Sequence, residues 1–166
     1  MSVDNINNFP ESTKILELDK PFVLIDVGAR RGFHPVFNNF NPVQKIGFEP
    51  NEQECSFLNS NKSDESERYF PVGLGSKHEE RKFYNTKNPG SSGIFPPNVK
   101  YWSRFTGSTA LDLVSEDIIK TEPLDSFLQK IDIKDCDFLK IDTEVFEQHI
   151  IDGGRQIITE NVLGVL

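Results

Sequence analysis

Four segments place glycines or acids directly after short apolar runs, where a strand would end and a loop would meet a ligand. The first is Asp26-Val27-Gly28-Ala29-Arg30-Arg31-Gly32, at the end of the run over residues 22–27. Glycines at 28 and 32 let a backbone turn tightly and approach a bound molecule, and a following helix would offer free N–H groups. A purely structural strand-to-helix turn would be spelled the same way. The second is Glu49, 21 positions after Gly28 and just past residues 45–48. A carboxylate at the tip of a neighbouring strand can accept two hydrogen bonds from a ribose diol. The third, Val72-Gly73-Leu74-Gly75, offers small residues against which a flat base could lie. The fourth, Lys140-Ile141-Asp142-Thr143-Glu144, carries two acids able to face a cation or take a proton, or to serve as partners of a helix dipole.

The spacing sorts the nucleoside ligands. A dinucleotide turn reads GxGxxG, whereas this one reads GxxxG with an acid two residues before it. No GxxxxGK[ST] occurs, which excludes a P-loop nucleotidase. An acid and few glycines suit a ligand without a pyrophosphate. S-adenosylmethionine, with an adenine, a ribose and a zwitterionic tail, is such a ligand. A nicotinamide-dependent oxidoreductase shares the acid after the second strand but lacks the third glycine, and a non-catalytic remnant or interaction module of the same fold stays open beside both.

The elements that must hold these residues follow from the pattern of apolar runs. Residues 22–27 form a continuous β-rich run, as in a strand buried on both faces of a parallel sheet. Residues 45–48, 69–75, 137–142 and 162–166 read as further strands, and 80–84 as an edge or hairpin strand. Helical spacing occupies residues 52–58, 124–128, and the stretch through Phe146, Ile150 and Ile151 to Gly153-Gly154. Residues 86–97, with Asn-Pro-Gly-Ser-Ser-Gly and Pro-Pro, read as loop. Strands alternating with helices predict an α/β domain: a Rossmann-like, doubly wound, mostly parallel sheet over residues 21–166. Residues 1–20 are expected to be a polar extension with a weak helical patch around Ile15-Leu16-Glu17-Leu18.

Composition narrows the classes further. The 166 residues carry a net charge of −8, 36% hydrophobic and 27% charged side chains, with a pI near 4.9. Such a balance opposes nucleic acid as a main partner, because phosphate binding needs a basic face. No run approaches the ~20 apolar residues that span a bilayer, so no membrane partner is expected. Cys55 and Cys136 belong to no metal-binding pattern, and His34, His78 and His149 share no ligand spacing with them. Two free thiols and an N-terminus without a basic head or apolar stretch lead to the expectation of a cytoplasmic protein. Arg30 and Arg31 could reach an acidic group or remain solvated. Tyr101 and Trp102, just after the Pro-Pro loop, could line a substrate mouth or pack in the core.

Taken together, Asp26-Val27-Gly28-Ala29, Gly47-Phe48-Glu49-Pro50, Ser91-Ser92-Gly93-Ile94-Phe95-Pro96-Pro97-Asn98, Pro123-Leu124-Asp125 and Phe138-Leu139-Lys140-Ile141-Asp142-Thr143-Glu144 resemble the FkbM-type methyltransferases. The resemblance runs from about residue 22 to the end, and its most specific parts are Lys-Ile-Asp-x-Glu with Glu147 after it and the Leu-Asp before it. It implies a class I S-adenosylmethionine-dependent enzyme, generally an O-methyltransferase acting on a hydroxyl of a sugar or natural-product-like small molecule. Asp26, Gly28, Ala29 and Gly32 would then form the cofactor turn, Glu49 would hold the ribose, and Val72 and Gly73 would lie against the adenine. Asp142 would sit beside the methionine portion or the methyl group, with Asp142 or Glu144 taking the hydroxyl proton. Val145 stands where the family has glycine, so its side chain is expected to crowd the active face. The class I sheet has two strands beyond the fifth, so the chain is expected to be C-terminally incomplete, to associate through an exposed sheet edge, and to have little activity alone.

Overall fold

The computed structural model describes residues 17–34, 37, 40–63 and 65–166. Its centre is a five-stranded parallel sheet built on β1 (Glu17–Val27), with the order β3-β2-β1-β7-β8. Strand β2 is Asn41–Phe48, β3 Glu67–Phe70, β7 Phe138–Ile141 and β8 Gly164–Val165. The register fixes the functional end of the sheet, because Val27 pairs with both Phe48 and Ile141, and Phe48 pairs with Phe70. Four strands therefore end at one level. The next residues of the three inner ones are Gly28, Glu49 and Asp142.

Alternation along the strands sends Ile25, Val27, Ile46, Phe48, Leu139 and Ile141 to one face. There they meet α3 (Leu124–Lys130), α4 (Glu147–Gly153) and α5 (Arg155–Glu160) through Leu124, Leu128, Ile150 and Ile157. The opposite face carries α1 (Glu52–Ser60), whose Cys55 and Leu58, one turn apart, pack against Ala29 and Tyr69. Asn51 caps α1, its side-chain oxygen accepting the Glu54 N–H at 2.9 Å. Helices thus cover both faces, as the alternation of apolar runs implies. Both cysteines are buried and free, and burial pushes their thiols up, Cys55 to about 11 and Cys136 to about 12, so neither is poised to react.

A second sheet, in the order β4-β6-β5, stands beside the strand ends. Its β4 is Gly73–Leu74, and β5 (Glu79–Thr86) pairs antiparallel with β6 (Leu113–Glu122). The run over residues 69–75 is therefore not one strand. Its first half ends the large sheet and its second half starts the small one, with Pro71 between them interrupting the ladder. Between β5 and β6 lies α2 (Val99–Trp102), in the stretch read as loop and mouth. Residues up to 16, with the first half of the expected helical patch, lie outside the described residues, and Glu17 and Leu18 already belong to β1. No helix of the described residues is long and apolar enough to cross a membrane.

The Leu-Asp before β7 has a structural use. Asp125 reaches from α3 to the start of α5, where its two carboxylate oxygens accept the N–H groups of Gln156 (2.9 Å) and Ile157 (3.0 Å). A helix start loses about 1 kcal/mol or more when such an acceptor is removed. Asp125→Ala is therefore expected to destabilise the protein by roughly 1–2 kcal/mol. Urea unfolding should show a lower midpoint with an unchanged slope.

Candidate functional site

The strand tips form one wall of a cleft of about 240 Å³, and the β5–β6 connection forms the other. That connection folds back because Tyr84 and Gly93 exchange backbone hydrogen bonds, Tyr84 N–H to Gly93 C=O at 2.8 Å and the reverse at 3.2 Å. Gly93 then lies against Glu144, where a methyl group on Gly93 would come within 3.3 Å of the Glu144 Cβ. Phe83, Gly90, Ser92 and Ile94 reach the cleft with it.

Of the nine residues read from the sequence as site residues, Gly28, Glu49, Val72, Gly73, Asp142 and Glu144 line the cleft. Gly28 has φ +84, and a Cβ there would sit 2.1 Å from the Asp142 carbonyl oxygen. Only glycine lets β1 and β7 end this close together. The N–H groups of Gly28 and Ala29 both donate to the Phe48 carbonyl at 3.0 Å. They are thus spent on holding β1 to β2 rather than free for an anion, and no α-helix begins within the described residues directly after the turn.

Asp26, Ala29 and Gly32 stand behind the cleft. Asp26 is 1% exposed and accepts a hydrogen bond from Lys140 Nζ at 2.9 Å, its cross-strand neighbour on β7. Burial pushes its carboxyl above the usual carboxylate range, and Lys140 draws it partly back. The same ammonium lies 3.8 Å from the Asp142 carboxylate, so Lys140 joins the buried acid to the exposed one. Ala29 packs under α1, and Gly32, at φ +83, lets the chain turn beside the Tyr69 ring. Arg30 and Arg31 both line the cleft.

Glu49 is 4% exposed, and one of its oxygens accepts the Asn51 N–H at 2.9 Å. Burial raises its carboxyl above its ordinary value, against the opposing pull of that hydrogen bond and of Arg30. Glu144 is raised too, by burial and then by the charges of Asp142 and Glu147. Three carboxylates and two guanidinium groups thus share a cleft with the apolar side chains of Val27, Phe48, Val72, Phe83 and Ile94.

Glu147 shapes the loop after β7, a role its place in the sequence did not disclose. Its Oε1 accepts the N–H groups of Thr143 and Val145, both at 3.2 Å. The loop so held puts Glu144 at φ +51 and Val145 at φ +74. A β-branched residue is strained in that left-handed region, and this is the position where the resemblance leads one to expect glycine. The Val145 side chain does not crowd the cleft; it points outward and is 77% exposed. Val145→Gly is accordingly expected to raise stability by about 1 kcal/mol, because it relieves strain and gives up almost no burial. Thermal unfolding should show a rise of roughly 2–4 °C.

Among curated proteins none matches the chain. A crystal structure of methyltransferase FkbM from Methylobacillus flagellatus aligns over 84% of this chain and 30% of that one, at 15% identity and a TM-score of 0.45. The chain thus spans less than a third of that relative. A family description, Methyltransferase FkbM domain, matches residues 26–163, from the buried acid of β1 to the approach to β8. With most of its length so matched, the chain belongs to the FkbM methyltransferase domain family.

Proposed function

We propose that the cleft binds S-adenosylmethionine and that the protein catalyses methyl transfer to a hydroxyl oxygen of a small molecule. The observation that carries this reading is Glu49, a desolvated carboxylate at the tip of β2 beside the Gly28 turn. A carboxylate has about four acceptor positions, so the Asn51 bond leaves Glu49 acceptor capacity for a diol. The rest of the lining fits the same ligand. Phe48, Val72 and Gly73 suit a flat base, Asp142 and Glu144 suit a cationic centre, and Arg30 or Arg31 suits a carboxylate. The cofactor would supply a methyl group already activated on a sulfonium.

The chain's own residues then hold and orient, and one of them takes a proton. Asp142, positioned through Lys140 and Asp26, would face the amino-acid portion of the cofactor. Glu144, raised above its ordinary value by burial and by the neighbouring acids, would receive the hydroxyl proton as the new C–O bond forms. Positioning supplies most of the rate in such a reaction. A dinucleotide is less favoured, because the first-turn N–H groups are bonded to Phe48 instead of facing the cleft.

Calorimetry with S-adenosylhomocysteine and NAD tests the reading. Glu49→Ala should weaken S-adenosylhomocysteine at least tenfold, since a hydrogen bond to a charged group contributes about 1.5–3 kcal/mol. Unchanged affinity, or tighter binding of NAD, would overturn the assignment. The pH dependence has a definite sign. A diol donates to the ionised carboxylate, so affinity should rise with pH as Glu49 ionises, above the ordinary glutamate range. Glu49→Gln should flatten that rise. For turnover of an accepted alcohol, Glu144→Gln should lower kcat by roughly 10²–10⁴ while S-adenosylhomocysteine affinity stays within about twofold. A full rate in that variant would remove Glu144 as the base.

A further inference from the structure

A second depression adjoins the cleft and shares Glu144 with it. It encloses about 590 Å³, within the ~300–1,000 Å³ typical of sites for small organic ligands. Its walls are Phe95, Pro97, Trp102, Phe105, Leu111 and Val145. These rings are not core: Phe95 is 46%, Trp102 43% and Phe105 50% exposed. They are nevertheless organised, with Trp102 and Phe105 centred 5.6 Å apart and Phe95 held 5.9 Å from the buried Phe146. Grouped exposed aromatics of this kind mark a binding surface, unlike scattered single ones.

We infer that this groove is the acceptor site, and that it takes an uncharged, largely apolar alcohol of small-molecule size rather than a polar glycan or an anion. Two observations select that occupant. Glu144 is the one charged side chain among the described residues lining the groove, and it stands at the end that opens on the cleft. An anionic acceptor would meet repulsion there and find no cation along the walls. The few polar groups, such as Asn98 and Ser108, are outnumbered by rings, prolines and aliphatic chains, so most of the acceptor's surface must be apolar to be covered. The strained turn at Glu144-Val145 serves both sites at once, turning the acid to the cleft and the valine to the groove. The word "acceptor" rests on the methyltransferase reading; the binding of an apolar alcohol does not.

Trp102 is the chain's single tryptophan and reports on this groove directly. Titration with menthol, a neutral cyclic alcohol, should shift its emission to shorter wavelength and saturate. Cyclohexanecarboxylate and methyl glucoside should produce no saturable change over the same range. Val145→Asp places a residue more tolerant of positive φ at an exposed position and should weaken menthol at least tenfold, with S-adenosylhomocysteine affinity unchanged and the melting temperature not lowered. Phe105→Asp should do the same, so the result does not hang on one variant. Absence of a saturable response to menthol, equal responses to the glucoside or the carboxylate, or an emission shift set by protein concentration alone would overturn the inference. The last outcome would mean that a second copy covers the groove. Menthol binding without S-adenosylhomocysteine binding would sustain the groove and sink the cofactor reading, and the converse would do the opposite.

Discussion

The site depends on how closely the ends of β1 and β7 approach. At Gly28 there is no room for even one carbon, since the Asp142 carbonyl occupies the space a Cβ would need. The approach is locked on both sides: Asp142 N–H donates to the Val27 carbonyl at 2.9 Å, and Gly28 and Ala29 donate to Phe48. The register of three strands is thereby fixed at their tips. Glu49 and Asp142 reach the same cleft because their strands cannot slide, and a one-residue slip would send each to the opposite face.

Charge is the cost of this arrangement. Asp26 and Glu49 are buried, Glu144 is partly so, and all three are raised above their ordinary values, which means that folding disfavours their ionised forms. By linkage such groups stabilise the folded state most while protonated. That contribution is lost as pH rises from the ordinary carboxylate range through their raised folded values. At neutral pH the native state tolerates the acids through Lys140, through the Asn51 N–H and through Arg30. A buried ion pair of this kind seldom gains stability over an apolar pair of the same shape. Asp26 and Lys140 are better understood as holding Asp142 in place than as holding the sheet together.

What the sequence disclosed follows the same physics. Strands β1, β2 and β7 are buried on at least one face and spell continuous apolar runs, so they and the residues after them were legible, Gly28, Glu49, Asp142 and Glu144 among them. Strand β6 was not. Its residues Leu113-Val114-Ser115-Glu116-Asp117-Ile118 are exposed on both faces, so burial imposed no alternation on them. The split of residues 69–75 between two sheets was hidden because both halves are β-prone. Asp26 carried the look of a ligand-binding acid because it precedes the turn. Strand alternation alone would have put it on the face opposite Val27, where Lys140 awaits it. Glu147 was visible only as a residue of the family pattern, since a side chain that caps its own preceding loop leaves no periodic trace.

The turn at residues 144–145 gathers these lines. Backbone strain survives where surrounding contacts over-determine it. Here Glu147 binds two of the loop's N–H groups, and the β7 tip is pinned to β1. A glycine at 145 would satisfy the backbone at lower cost. It would also remove the one aliphatic side chain that this turn presents toward the aromatic groove. The valine therefore trades local strain for surface at the junction of two adjoining depressions. Such a trade belongs at a site where shape toward a ligand outweighs the last increment of stability.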